Sequence, residues 1–399
     1  MLLRTQICDM FDIDVPVVLA GMGGAAGPEL AAAVSNAGGL GVLGAAGCPP
    51  AELDEWVTRT RRLTDRPFGV DTLLPASVPD RLEPSAPVGH RDEAAPAGAR
   101  DGGGGNGRQL VPAETLEARD RFMDEVGLAR RPRRPEGEAP RRPRVSFVGD
   151  FFQSQLEVVL DRRVPVYVAG LGVPPAEFMA KGRQLGMRFM GVAGQSRHAQ
   201  KLAQAGVDAV VAQGTDGGGH NSPIGTLALI PQAVDAAGGL PVLGAGGISD
   251  GRGIAAAFML GARGVWVGTR FLATPEANIP DYQKQVLLRI GDRDTIVSKS
   301  VTGKPARMVR ASWAEVFERG EMEALPMPLQ SIVSAPVVGS AQANERADVY
   351  AGFSGQGVGL VHDLTPAGQV LERIVAEAVA LLDGISTLPG VTASSGVGR

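Results

Sequence analysis

The residues of this 399-residue chain best suited to chemistry lie in one stretch, Val210-Val211-Ala212-Gln213-Gly214-Thr215-Asp216-Gly217-Gly218-Gly219-His220-Asn221-Ser222-Pro223. An apolar run, read as a buried strand that already includes Gly206 to Ala209, breaks into glycines and then presents a histidine. Consecutive glycines cost conformational entropy in any fold, and a chain bears that cost where the backbone turns sharply or lets a flat ligand come close. The stretch therefore reads as the floor of a ligand site with His220 at its rim, where an imidazole near neutrality can take or hold a proton. The bland alternative is a loop histidine satisfied by a backbone carbonyl.

Two further glycine turns follow short apolar runs. Gly244-Ala245-Gly246-Gly247-Ile248-Ser249-Asp250 opens a helix, and Gly268 and Thr269 close Val267-Gly268-Thr269-Arg270. Backbone N–H groups freed by such turns bind a phosphate dianion without lysine. The competing reading is that these glycines only make tight turns.

The elements that must position these residues alternate regularly. Strands are expected at 15–20, 39–43, 67–73, 164–168, 188–192, 206–212, 240–244 and 264–268. Helices are expected at 28–38, 51–63, 176–185, 197–205, 227–237 and 252–260. Eight strands alternating with helices predict an α/β fold, a (β/α)8 TIM barrel, whose chemistry sits at the C-terminal ends of the strands and whose last two loops hold phosphate. A doubly wound open sheet is the other architecture compatible with the pattern. The barrel is assigned to 1–75 and 145–270. Between these parts, 76–144 is a low-complexity insertion rich in Pro, Gly and Arg, including Gly102 to Gly105 and Arg130 to Arg134. It reads as a solvated loop, with one amphipathic helix at 112–126 through Leu116, Met123 and Val126. A smaller lid domain is expected at 271–340, with a helix at 281–290 and Pro- and Met-rich sequence beyond it. A return segment and closing helix follow at 341–385, and a flexible tail at 386–399.

Composition excludes several classes. Lys+Arg total 39 against Asp+Glu 43, a net charge of −4, so no positive field invites nucleic acid or an anionic membrane. No run reaches the roughly 18 apolar residues of a membrane span, and Arg4 and Asp9 interrupt the apolar N-terminus; a cytoplasmic setting is expected. Cys8 and Cys48 are the only cysteines and form no metal pair. His90, His198 and His362 are scattered without HExxH spacing, so no metal site is expected. Gly39-Leu40-Gly41-Val42-Leu43-Gly44 matches a dinucleotide fingerprint in letters only, because its interior is the strand itself. Gly303-Lys304-Pro305 lacks the spacing of a phosphate-binding P-loop.

The blocks Val17-Val18-Leu19-Ala20-Gly21-Met22-Gly23-Gly24, Ser35-Asn36-Ala37-Gly38-Gly39-Leu40-Gly41, Ala212-Gln213-Gly214 through Gly218-Gly219-His220, Gly246-Gly247-Ile248 and Gly264-Val265-Trp266-Val267-Gly268-Thr269-Arg270-Phe271, in this order, resemble the nitronate monooxygenase family, formerly called 2-nitropropane dioxygenases. The resemblance implies an FMN-dependent barrel with a smaller lid, sharing motifs with a flavin-dependent enoyl-acyl-carrier-protein reductase. It places Gly21, Met22 and Gly23 along the flavin ring and adds Gln213, Gly218 and Gly219 to the cofactor site. It gives Gly246, Gly247, Gly268 and Thr269 the phosphate, and makes His220 the catalytic histidine. It also puts the glycine and aromatic loop 350–359, from Tyr350 to Gly359, beside the flavin, where the residues alone read equally as a turn into the closing helix. Asp71 stands where the family commonly has asparagine; it can bond the ribityl hydroxyls but adds a negative charge near a phosphate. Asp216-Gly217 replaces a common Glu-Ala.

The function these features imply is oxidation of an alkyl nitronate or nitroalkane by O2 through FMN, with a small-molecule substrate and no nucleic-acid or membrane partner. Reduction of an enoyl thioester by NAD(P)H through the same flavin is the alternative, and a flavin-binding protein without turnover is a second. An inosine-monophosphate-type dehydrogenase would need a nucleophilic cysteine after a strand, which the chain lacks. Substrate identity and oligomeric state stay open.

Overall fold

The computed structural model describes residues 3–74, 110–129 and 150–384. The expected loop character of Gly102 to Gly105 and Arg130 to Arg134, and the tail at 386–399, lie outside the described residues. The chain forms strands β1 (Val17–Leu19), β2 (Gly41–Gly44), β3 (Phe68–Leu73), β4 (Val166–Leu171), β5 (Arg188–Ala193), β6 (Ala209–Gln213), β7 (Gly219–His220), β8 (Val242–Ala245), β9 (Gly264–Val267), β10 (Thr295–Ser298) and β11 (Ala306–Val309). Its helices are α1 (Gln6–Phe11), α2 (Pro28–Asn36), α3 (Pro50–Leu63), α4 (Ala113–Glu125), α5 (Asp150–Asp161), α6 (Ala176–Gln184), α7 (Ser196–Ala205), α8 (Thr226–Ala236), α9 (Gly251–Met259), α10 (Thr269–Leu272), α11 (Asp281–Leu287), α12 (Ser312–Glu318), α13 (Leu329–Ala343) and α14 (Ala367–Gly384).

Eight strands pair in parallel in the order β1-β9-β8-β6-β5-β4-β3-β2. The ends of that sheet meet: Leu19 N–H donates to the Leu40 carbonyl at 2.9 Å and Leu40 N–H to the Val17 carbonyl at 3.0 Å. The sheet is a barrel and not the open doubly wound alternative. Strands buried on both faces need no polar alternation, which is why they read as continuous apolar runs. The two-residue period is still visible in where they point. Val18, Val168, Val211 and Trp266 join the interior cluster, while Val17, Leu19, Val210 and Ala212 pack outward beneath the helices. Helix α1 plugs one end, sending Ile7, Cys8 and Phe11 into the interior cluster.

The strand expected from Gly206 begins later, at Ala209. Gly206 instead ends α7 in the left-handed region, at φ 88°, with its N–H returned to the helix carbonyls. The glycine was a helix stop, and the apolar residues after it masked that role.

A second apolar cluster lies apart from the barrel. Helix α4 brings Phe122 and Met123 against Trp313 of α12 and Val333 and Val337 of α13, with the Phe122 and Trp313 rings 5.0 Å apart. Helix α13 runs through Pro336, at the end of the Pro- and Met-rich sequence of the expected lid. Proline removes one helical hydrogen bond, and the buried Val333, Val337 and Ala341 face offsets that loss. Strands β10 and β11 form an antiparallel hairpin, and β11 pairs with β7 through Ala306 and His220. Closing helix α14 buries Val370, Leu371, Ile374 and Ala378 in the outer barrel core. Among the described residues no helix is long and apolar enough to cross a membrane.

Candidate active site

A cavity of about 630 Å³ opens at the C-terminal ends of the barrel strands. It gathers every site residue expected from the sequence. Gly21, Met22 and Gly23 follow β1, and Asp71 belongs to β3. Gln213 ends β6, and Gly218, Gly219 and His220 lie in the turn and short strand after it. Gly246, Gly247, Gly268 and Thr269 follow β8 and β9 on the same wall. The loop at 352–359 contributes Gly352, Phe353 and Gly357.

The turn after β8 depends on glycine. Gly246 and Gly247 adopt φ of 101° and 73°, values that L side chains avoid. Asp250 then caps α9, accepting from the N–H groups of Arg252 and Gly253. Between them Ser249, 3% exposed, points a hydroxyl without a hydrogen-bond partner at the cavity lining. The sequence reading passed over Ser249 because a lone serine before a cap has no distinctive spacing. Thr269 Oγ1 accepts the Gly355 N–H at 2.9 Å, which leaves its own O–H to donate.

Gly218 turns out to serve two masters. It lines the cavity, but a Cβ built there would lie 2.8 Å from the Gly355 nitrogen. The missing side chain lets the 352–359 loop pack backbone against backbone, and Gln356 N–H donates to the Asp216 carbonyl at 2.9 Å. Gln213 is similarly engaged: its side-chain amide donates to the His220 carbonyl at 2.8 Å and pins the histidine segment to the barrel.

Asp71 is the electrostatic oddity. It is 6% exposed, and its Oδ1 is buried without a partner. Burial holds its carboxyl well above the usual carboxylate range, with the Gly170 backbone N–H pulling weakly the other way. Gly21 must be glycine to leave that side chain room, since a Cβ there would fall 2.2 Å from the Asp71 Cβ.

His220 is held from several sides. Its backbone pairs with Ala306, and its Nε2 lies 2.8 Å from Thr302 Oγ1. Burial first, and Lys304 second, lower its pKa below the ordinary imidazole value, so the ring is neutral at physiological pH. Thr302 was missed in the sequence, where its neighbours were tested only as a phosphate loop. The cavity wall opposite the barrel was read only in outline: Met327 and Ser331, within the expected lid, line it without any spacing that marks them, whereas Tyr350 opens the glycine loop that the resemblance puts beside the flavin. His198 is half-buried on α7 and His362 is exposed, and neither lines the cavity.

With this geometry in hand, the chain can be compared with known proteins. The family model for nitronate monooxygenase matches residues 4–95 and 127–377. A Mycobacterium tuberculosis protein carrying a monooxygenase name is 33% identical, covering 98% of this chain and 99% of that one. A Rhodococcus jostii protein named (3aS,4S,5R,7aS)-5-hydroxy-7a-methyl-1-oxo-octahydro-1H-indene-4-carboxyl-CoA dehydrogenase is 31% identical, covering 97% of this chain and 99% of its own. Among solved structures, the nitroalkane oxidase of Streptomyces ansochromogenes aligns with a TM-score of 0.75 at 30% identity, covering 95% of this chain and 99% of that one. FabK of Thermotoga maritima aligns at 0.71 and 27% identity, covering 96% and 99%. Matched along nearly its whole length, and sharing barrel and cavity motifs in the expected order, the chain belongs to the nitronate monooxygenase family of oxidoreductases.

Proposed function

We propose that this protein binds FMN in the barrel-mouth cavity and oxidises alkyl nitronates, with nitroalkanes as further substrates, using O2. Members of the family are flavin enzymes, and the residues present suit the mononucleotide. The positive-φ turn at Gly246 and Gly247 and the unpartnered Ser249 hydroxyl supply donors for a phosphate. The unpartnered Asp71 Oδ1 supplies a polar group deeper in the same cavity. Gly268 and Thr269 complete the phosphate end, with Gly21, Met22, Gly23, Gln213, Gly218 and Gly219 around the ring system. We assign 271–340 the role of a lid, because its Thr302, Met327 and Ser331 line the cavity from outside the barrel.

Bound FMN would supply the electron acceptor for the substrate and the donor for O2. The chain supplies the rest. The observation that carries the reading is His220 on the wall of the cavity, its Nε2 engaged by Thr302 and its pKa lowered by burial. Thr302 Oγ1 also lies 3.4 Å from the Lys304 carbonyl. With its hydroxyl proton turned there, it accepts Nε2–H from His220, and the Nδ1 lone pair is then free to take a Cα proton from a neutral nitroalkane. For a nitronate, already deprotonated, the same imidazole holds a nitro oxygen.

A second reading, reduction of an enoyl thioester by NAD(P)H through the same flavin, is favoured by the likeness to FabK and by the CoA thioester in the name of the Rhodococcus relative. The visible spectrum under anaerobic conditions separates the two. A flavin band that resists NADPH and bleaches with a nitronate is the expected result, and His220→Asn should keep the band while slowing bleaching by a nitroalkane about 10²-fold or more. Rapid bleaching by NADPH would transfer the assignment to thioester reduction. Flavin reduced by neither would leave a binding protein without turnover.

A further inference from the structure

We propose that Asp71 holds the bound cofactor as a neutral carboxylic acid that donates a hydrogen bond to it, so that wherever the flavin-free carboxyl is ionised each flavin bound ties one proton to the protein. The inference rests on the FMN reading above and adds to it the protonation state of one residue.

The geometry leaves the carboxyl little else to do. Asp71 is 6% exposed, lines the cavity, and carries an oxygen with no partner. It is wedged between two glycines: a Cβ at Gly21 would sit 2.2 Å from its Oδ2, and one at Gly170 would sit 2.5 Å from its Oδ1. Its backbone is fixed as well, with the Asp71 carbonyl accepting the Ala45 N–H at 2.9 Å.

The elements packed against it bring no counter-charge. The loop after β1 offers Gly21, and the start of the loop after β2 offers the Ala45 backbone. Strand β4 offers the Gly170 N–H, which favours the anion, and Tyr167, whose hydroxyl is committed to Thr72 at 2.6 Å. No lysine, arginine or histidine among the described residues bears on the carboxyl. An isolated buried carboxylate is strongly disfavoured and takes up a proton instead. A cofactor that itself brings a phosphate dianion into the same cavity adds a like charge and pushes further in that direction. The neutral acid has an O–H to donate as well as acceptor capacity, whereas the anion can only accept. In this chain the acid therefore does with a proton what an amide would do without one.

The test is the dissociation constant for FMN, read by quenching of flavin fluorescence from pH 5 to 9 in the unaltered protein and in Asp71→Asn. The amide keeps the shape and a donor but does not titrate. Taking the ratio of the two constants cancels the titrations of the FMN phosphate and of His220. Cys48, which also lines the cavity, is pushed up to about 12 by burial and stays out of the range. Wherever the flavin-free carboxyl ionises within the range, the ratio of unaltered to Asp71→Asn should rise with pH, approaching about tenfold per unit. A ratio that falls with pH overturns the proposal. The direct readout is the infrared difference between the flavin-loaded unaltered protein and flavin-loaded Asp71→Asn at about pH 7, which should carry the C=O stretch of a protonated carboxyl. Its absence overturns the proposal. If neither protein takes FMN at any pH, the cofactor reading falls and this inference with it; tight binding without the protonated-carboxyl band removes this inference alone.

Discussion

Two aspartates in this protein, Asp363 and Asp71, carry opposite lessons about a carboxylate and its partners. Asp363, in the connection before α14, is surrounded by partners. It accepts from the Arg270 guanidinium, from Arg373 Nη1 at 2.9 Å and from Thr365 Oγ1 at 2.6 Å. These hold its carboxyl below the usual carboxylate range, Arg373 contributing most. Asp71, at the cavity, has no cation and an unpartnered oxygen, and burial drives it the other way. One region spends its polar groups on itself and ties the closing helix to the barrel. The other leaves them unspent. On the proposed function, Asp71 and Ser249, unpartnered around one cavity, are the groups that the ligand would satisfy, whereas Asp363 is satisfied by the chain itself.

The sharpest way to break the comparison is at the self-satisfied end. Arg270 is 2% exposed and donates to the carbonyls of Ala273 and Asp363 as well as to the Asp363 carboxylate. Arg270→Met preserves much of the volume but strands two carbonyls and removes the main link between α10 and the segment leading into α14. The expected loss is about 3 kcal/mol, the scale of unmade buried hydrogen bonds, moderated because Asp363 is 42% exposed and keeps Arg373. Chemical denaturation should report it. A loss under about 0.5 kcal/mol, the range of an ordinary surface substitution, would mean that the knot is incidental.

Smaller effects separate the two carboxylates by pH. Asp363 has a depressed pKa, so its contribution to stability is present above the unfolded value, about 3.9, and is lost as pH falls through its folded value. Asp71 has a raised pKa. Its site is most stable below that same unfolded value and loses stability as pH rises through the folded one. The flavin-free protein should therefore weaken at both ends, and Asp71→Asn should relieve only the alkaline side, by about 1 kcal/mol at pH 8, on the scale of a buried polar group freed of its desolvation penalty. Urea midpoints at about pH 3, 6 and 8 give the profile, the first lying below the unfolded carboxylate value. An Asp71→Asn protein with an unchanged alkaline limb would show that the cavity already pays no penalty for the carboxylate.

The same division explains what the sequence made legible. The barrel side of the cavity was readable because backbone constraints leave letters: Gly246 and Gly247 at positive φ, Gly21 beside Asp71, and apolar strands each ending at the same rim. The pattern of eight strands was legible for the same reason, since a parallel sheet buried on both faces must be apolar throughout. The opposite wall left no such letters. Met327 and Thr302 reach the cavity through tertiary packing of α13 and the β10 and β11 hairpin, and either could occupy an ordinary core position; Tyr350 was reached only through the resemblance that puts its glycine loop beside the flavin. Helix α13 was hidden by Pro336, because its stability comes from packing on α4, more than 200 residues earlier in the chain. Gly206 was misread as strand because a helix-ending glycine followed by Val207 looks like a strand's approach. Ser249 was visible as a letter, but only burial without a partner marks it; Asp71 was named from the resemblance, and the structure adds that its carboxyl is buried with one oxygen unpartnered.

Thr302 tests whether that unread wall takes part in the chemistry or merely covers it. Its hydroxyl lies 2.8 Å from His220 Nε2 and within 3.4 Å of both the carbonyl and the N–H of Lys304, so it links the imidazole to the turn after β10. Thr302→Val keeps the shape and removes the link. The ring loses its preferred tautomer and orientation but not its presence, so kcat for a neutral nitroalkane should fall by no more than about tenfold with KM little altered, a smaller effect than losing the imidazole itself. A preformed nitronate needs no proton removed, and its rate should respond less. The pH profile sharpens the reading. Activity toward the nitroalkane should be lost as pH falls through the depressed pKa of His220, and the valine variant should shift that limb because a hydrogen-bond partner of the ring is gone. Equal slowing of both substrates with an unmoved limb would make Thr302 a packing residue, and the lid a cover over a site built wholly by the barrel.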